Sequence, residues 1–324
     1  MGKIIELTRV WARLLRLRRG GPIDVILYPV GGPHLAPLLR DLCLLPLARL
    51  CARRVVLHFR AAGLAEALPR LPAPARFLVG KTYRACGEAI ALTNFGRRDP
   101  EAAGIPADRI AVVPNGCEDR HRSDFVSIAQ IRASGAPLTL LNAGLLCSDK
   151  GSPALIEAFA GLTRRFPERS LRLRLAGSPM GDCTTASLRD LAEKHGVGDR
   201  VELCGVLEGE ALDRAYASGD LFVFSTVAPF ESFGMVLIEA MMWGLPIVAT
   251  DWRANTEVFG EDPGGLLADT TPTLAAGLES ALATALERES EWPGWSEKNR
   301  RRFVENFGID RSRERLARLM TGAR

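Results

Sequence analysis

The chain has 324 residues, 47% hydrophobic and 25% charged, with a net charge of +4, an ordinary globular composition with room for about two domains. No uncharged stretch is long enough to span a membrane, and the early apolar runs, interrupted by Arg and Glu, do not resemble a signal peptide. The seven cysteines form no C-x-x-C pair, which excludes a disulfide framework and reads as reduced thiols in a cytoplasmic protein.

Residues 3–19 carry Ile4, Ile5, Leu7, Val10, Trp11, Leu14, Leu15 and Leu17 with arginines opposite, which predicts an amphipathic helix stopped by Gly20-Gly21-Pro22. Such a helix either lies in a membrane interface or packs on a sheet, and the packed form is the expected one. A strand over 23–28 runs into Gly31-Gly32-Pro33-His34 and a Leu-rich helix to about Cys51. The next strand is 54–59 (RVVLHF), and Gly63 and Pro69 to Pro74 mark turn-rich sequence. Short strands follow at 89–93 and 110–113, the last closed by the tight turn Pro114-Asn115-Gly116. Positions 1–70 hold twelve Lys or Arg against four acids. That balance predicts an anionic partner, a membrane surface or a phosphorylated acceptor, with no sign of nucleic acid.

The polar stretch 118–136 reads as a linker. Beyond it strands at 138–143, 171–176, 200–204, 221–224 and 247–250 alternate with helices at 153–166, 188–195, 208–217 and 235–242. This is the pattern of an open parallel α/β sheet. A helix at 274–289 and an arginine-rich helical tail at 296–320 complete the chain. Ligands on such sheets bind beyond the carboxyl ends of the strands, where Lys150, Gly177, Val206 and Glu231 fall.

The stretch 221–250, LFVFSTVAPFESFGMVLIEAMMWGLPIVAT, reads as strand, loop, helix, strand. Ser232, Phe233 and Gly234 occupy the helix mouth, whose N–H groups and dipole suit a phosphate. Glu231 lies just before that mouth and Glu239 inside the helix, two carboxylates able to accept hydrogen bonds from vicinal hydroxyls. Glu239 stands in a mostly apolar helix, where a carboxylate is seldom buried without a partner.

The run ESFGMVLIEAMMWGLPIVATD, with its two glutamates, Phe-Gly between them and E-A-M-x-x-G-x-P following, resembles the signature of the group 1 (family four) retaining glycosyltransferases. VVPNGCED is similar to the segment that closes the first lobe in that family. The resemblance implies a GT-B fold of two Rossmann-like lobes. The expected boundaries are 1–124 for an acceptor-side lobe, 125–300 for the nucleotide-sugar donor lobe, and 301–324 for a C-terminal helix crossing back to the first lobe. It further implies a nucleotide-sugar donor and a glycan or lipid-linked acceptor. Lys150 is implied at the donor phosphates, Glu231 at hydroxyls of the transferred sugar, Glu239 at the ribose, and Val206 at the base edge. Gly144, Gly177, Gly234, Met235 and Val236 complete the donor site. No cofactor or metal is expected, since no Asp-x-Asp pair occurs in the chain. A metal-free site relies on Lys, Arg and backbone amides. The setting implied is envelope polysaccharide or glycolipid synthesis at the cytoplasmic face of the membrane, with peripheral contact through the basic first lobe.

Three departures from the family pattern stand out. Leu145 takes the place of an arginine that grips phosphate. Arg60 takes the place of a histidine that contacts sugar or acceptor, with His58 two residues earlier on the same strand face. The chain also begins with a helix where the family has a strand and glycine-rich loop, so a shortened first lobe is expected. These departures keep two rivals open: a non-catalytic glycosyltransferase-like protein that binds nucleotide sugar or a partner enzyme, and a GT-B sugar-nucleotide epimerase.

Overall fold

The computed structural model describes residues 2–121 and 137–321. The chain divides into two compact units. One comprises Met1–Asn115, Pro229–Phe233 and Ser312–Arg324; the other comprises Gly116–Ala228 and Gly234–Arg311. Residues 122–136 of the expected linker, and with them the expected boundary at 124/125, lie outside the described residues.

In the first unit four parallel strands, β1 (Ile23–Pro29), β2 (Ala52–Phe59), β3 (Gly87–Ala91) and β4 (Ile110–Val112), pair in sequence order. Helices α1 (Gly2–Arg19), α2 (Leu35–Cys51) and α3 (Ala73–Arg84) belong to this unit. Buried Leu38, Leu45 and Ala48 of α2 and Val79 and Tyr83 of α3 pack with Val55, Leu57 and Phe59 of β2 on one sheet face. Val56, Ile90 and Val113 face the other way, against Leu316, Leu319 and Met320. The β-branched run of β2 thus alternates between two cores, as a strand covered on both faces must.

Two expectations need correction here. The turn-rich reading of 69–74 hides the start of α3, whose Pro74 stands in the first turn, where a missing N–H costs nothing. The packing on a sheet expected of α1 also does not hold for its described side chains. Of its described side chains, Thr8 onward, only Leu14 is even half-buried.

The second unit holds a six-stranded parallel sheet, β5 (Leu138–Ala143), β6 (Leu171–Ala176), β7 (Val201–Gly205), β8 (Leu221–Phe224), β9 (Ile247–Thr250) and β10 (Gly265–Ala268). Their order, β10-β9-β8-β5-β6-β7, is that of a doubly wound dinucleotide-type fold, with its switch point between β5 and β8. Strand β10 is not among the expected strands; it pairs with β9 at the sheet edge. Between the strands run α4 (Ser152–Arg165), α5 (Thr185–Lys194), α6 (Gly209–Ala217), α7 (Met235–Met242) and α8 (Leu274–Glu287). Phe159 and Leu155 of α4 and Leu282 and Leu286 of α8 share a buried core with Leu140, Leu173 and Val223.

The expected single tail helix is two, α9 (Trp292–Asn306) and α10 (Ile309–Thr321). The break at Phe307-Gly308 lets Cys117 hydrogen-bond through its N–H to Phe307 O and through its C=O to Ile309 N.

Candidate donor site

In the second unit the ends of β5, β6 and β7, on one side of the switch point, are tied together. The Gly144 N–H, just past β5, donates to Ala176 O at 2.9 Å, and the Gly177 N–H, just past β6, to Gly205 O at 2.7 Å. A Cβ on Gly177 would stand 1.6 Å from Gly144 O, and its φ of +152° is itself one that side chains rarely adopt. Two loops therefore meet backbone to backbone, bare of side chains. Val206 follows, projecting from the end of β7 into solvent.

Lys150 ends the one-turn helix Ser148–Lys150. The turn is fastened to the segment after β8: Ser225 Oγ donates to Lys150 O at 2.8 Å, and Val227 N–H to Asp149 O at 2.8 Å. The half-buried lysine is thus fixed at its backbone beside the switch point.

Helix α7 starts after Gly234, whose φ is +80° and where a Cβ would crowd the Phe224 ring at 2.9 Å. The left-handed φ and the close ring together call for glycine at the entry to the helix. The first-turn amides, Met235 and Val236 among them, face out of the helix end, since first-turn N–H groups lack an intrahelical acceptor.

Glu239 does have the partner its apolar surroundings called for. Tyr216 of α6 donates its hydroxyl to Glu239 Oε2 at 2.9 Å. Burial raises the Glu239 carboxyl pKa, against the pull of the Tyr216 hydrogen bond and the Arg120 charge. Burial first, and the Glu239 charge second, push the Tyr216 hydroxyl well above its ordinary value. One carboxylate oxygen is therefore held by a partner from α6.

The first unit gathers the other expected residues. Its short segment Pro229–Phe233 carries Glu231, Ser232 and Phe233, with Glu231 and Phe233 buried. The segment is pinned to the loop after β2: Ser232 Oγ donates to Arg60 O at 2.7 Å, and Ala62 N–H donates to Phe230 O at 3.2 Å. Glu231 and exposed Arg60 are thereby neighbours in one unit.

His58 lies on β2 with Nε2 buried and without a hydrogen-bond partner. Burial, helped by the Arg60 charge, lowers its pKa from 6.5 to about 4, so the imidazole is neutral at physiological pH. The unfolded chain takes up this proton near pH 6.5, whereas the folded one resists until about pH 4. The stability from a neutral His58 is complete above the first value and lost as pH falls to the second. We expect that loss to be about 2 kcal/mol after allowance for partial solvent contact. Urea unfolding at neutral pH and near pH 4 measures it, and the window should vanish in His58→Gln.

Sequence reasoning missed Tyr216 and Asp41. The Asp41 carboxylate, fully buried on α2, accepts from Tyr28 and Tyr83 hydroxyls, both at 2.7 Å, and from the Gly31 N–H at 2.9 Å. It also pairs with Arg40. An acid inside LAPLLRDLCLLPL was the available signal, by the same logic applied to Glu239.

Among the described residues no group of three His, Cys, Asp or Glu is placed to hold a metal ion.

Comparison with known proteins bears on the same region. The family model for glycosyl transferases group 1 matches residues 126–306. Mannosylfructose-phosphate synthase of Agrobacterium fabrum is 34% identical over 177 residues, 52% of this chain and 38% of its own length. D-inositol 3-phosphate glycosyltransferase of Nocardia farcinica is 32% identical over 173 residues, again 52% of this chain and 38% of its own. The match thus spans well under half the length of these curated relatives. Among solved structures, Anabaena Alr3699/HepE in complex with UDP aligns with a TM-score of 0.77 at 19% identity, covering 98% of this chain and 82% of that one. Sucrose-phosphate synthase from Thermosynechococcus elongatus aligns with a TM-score of 0.72 at 19% identity, covering 94% and 74%. These structural likenesses show a shared GT-B fold.

Proposed function

The chain belongs to the group 1 glycosyltransferases, and from that premise we propose that it moves a hexose from a nucleotide sugar to a glycan or lipid-linked acceptor, without a metal ion and with retention at the anomeric carbon. The observation that carries this reading is the meeting of the Lys150 turn, the Gly144 and Gly177 backbones and the mouth of α7 around the β5/β8 switch point.

In the transfer the bond between the anomeric carbon and the diphosphate oxygen breaks, and its electron pair leaves with the diphosphate. The acceptor oxygen forms the new bond and its proton passes to an oxygen of the departing diphosphate. Charge grows on the leaving group, and fixed positive partners there lower the barrier. Lys150 and the amides of Gly234, Met235 and Val236 suit that task. Glu239, oriented by Tyr216, takes the ribose hydroxyls; Val206 takes the base edge. Glu231 and Ser232 serve the transferred sugar, with Phe233 behind them and Arg60 and His58 on the acceptor side. The UDP in the HepE complex supports a nucleoside diphosphate donor. The basic first lobe supports envelope polysaccharide or glycolipid synthesis, with peripheral contact at the cytoplasmic face of the membrane. No helix among the described residues is long and apolar enough to cross one.

Leu145, an exposed apolar side chain at a place where arginine is expected, favours a second reading, a non-catalytic protein that binds nucleotide sugar. Calorimetric titration with UDP, GDP and ADP separates the possibilities. Tight binding of one nucleotide, lost in Glu239→Ala, supports the donor site; no binding to any of them removes it. Turnover of that sugar nucleotide only when an acceptor is added then marks the transferase.

The Glu239 environment adds a pH signature. Its charged form accepts the ribose hydroxyls, so nucleotide binding should weaken as pH falls through the raised range of this carboxyl. Tyr216→Phe removes a hydrogen bond that lowers that range, so the weakening should begin at higher pH. Transfer should proceed unchanged in EDTA, and a strict requirement for Mn²⁺ would contradict the metal-free reading.

A further inference from the structure

The first unit carries an apolar surface rimmed by positive charge. On α1, Val10, Trp11, Leu15 and Leu17 are 41% to 57% exposed. At about 100° per residue, Leu17, Val10, Leu14, Trp11 and Leu15 share one arc of roughly 160°, interrupted by Arg18, with Arg9, Arg13, Arg16 and Arg19 opposite. Helix α1 runs against α2, which turns its own stripe outward. Leu35, Leu39 and Leu50 are 66%, 52% and 76% exposed. Their spacing brings all three within roughly 60° of one another around the helix. Helix α3, packed against α2, adds Phe77, which is 71% exposed, beside Arg76, Lys81 and Arg84. Isolated exposed leucines are ordinary; adjoining helices that all expose them mark an interaction surface.

Charge selects the partner. The three helices carry two acids, Glu6 and Asp41; among the described side chains none exposes an acid, since Asp41 is buried in its own hydrogen-bond set. A long apolar strip edged mainly by arginine and lysine complements a surface that is apolar beneath and anionic above.

We propose that this face seats on an anionic lipid bilayer, with α1 in the headgroup plane. Trp11, Leu15 and Leu17 enter the acyl boundary, and the arginines lie among the lipid phosphates. This deepens the membrane clause of the proposed function and does not depend on sugar transfer.

The test is co-sedimentation of the full chain, without substrate, with phosphatidylcholine vesicles with and without phosphatidylglycerol. Two variants accompany it, Trp11→Ser/Leu15→Ser/Leu17→Ser and Arg13→Gln/Arg16→Gln/Arg19→Gln. All six positions are solvent-exposed, so thermal unfolding should match wild type. The expected result is binding only to the anionic vesicles, lowered about a hundredfold in the arginine variant, since each basic residue at a membrane surface contributes roughly fivefold. The apolar variant should lose binding as well. Wild-type binding kept intact in both variants overturns the assignment of this face while leaving peripheral membrane contact standing. No binding by wild type overturns both. A concentration-dependent dimer abolished by the apolar variant assigns the face to a second copy and also overturns the proposal.

Discussion

Gly177→Ala should destabilise the second unit by about 3–5 kcal/mol and abolish nucleotide binding. The new methyl group would lie 1.6 Å from Gly144 O, and the neighbour it meets is main chain, which no rotamer change can move. Relief requires the loops after β5 and β6 to separate, which breaks the Gly144-to-Ala176 and Gly177-to-Gly205 hydrogen bonds. The alanine must also hold a φ of +152°. Differential scanning calorimetry should show the transition falling by about 10 °C. Gly294→Ala is the control. Its Cβ meets nothing within 4 Å at the start of α9, so that variant should be neutral or slightly more stable. A Gly177→Ala protein that melts and binds nucleotide as wild type does would mean that the two loops are not locked together.

Lys150→Ala should slow transfer by about 10²–10³-fold with little change in melting temperature. The side chain is half-buried, but the turn that carries it is held by backbone bonds to Ser225 and Val227 that alanine keeps. The fold survives and the positive charge goes. Because charge on the diphosphate grows as its bond to sugar breaks, the loss should fall on kcat and kcat/KM alike, with a smaller effect on the affinity for UDP. Lys150→Arg should recover little, since a planar guanidinium does not replace a compact ammonium at a fixed distance. An unchanged kcat in Lys150→Ala would remove this lysine from the site and shift attention to the mouth of α7.

The donor half of the fold was legible because its signals are local. Residues 138–143 and 221–224 are short, mostly apolar runs, 171–176 alternates leucine with arginine, and each is a strand in the folded chain. Gly244 and Pro246 stop a helix in sequence and in structure, and α7 closes at Met242. The pairing of Glu231 and Glu239 about one Phe-Gly turn depends on chain spacing alone. So does the resemblance it supports. Boundaries were less secure where two signals conflicted. The prolines near 69–74 read as breakers, yet Pro74 begins α3, because a proline in a helical first turn gives up no hydrogen bond.

What the sequence by itself determined is thus the alternation of strands and helices, the identity of the donor half, and the residues at the ends of its strands, all set by periodicity, turn chemistry and spacing within a few residues. Tertiary structure alone decided what depends on residues far apart in the chain. Tyr216 meets Glu239 across 23 positions, and Tyr83 meets Asp41 across 42. Ser232 reaches Arg60 across 172, which assigns Pro229–Phe233 to the first unit although it lies between β8 and α7 of the second. The same holds for α1: its apolar stripe fits a packed helix or an exposed one equally, and only the exposure of its described side chains distinguishes them. Periodicity records which side of an element is apolar, whereas burial depends on what the rest of the chain brings against that side.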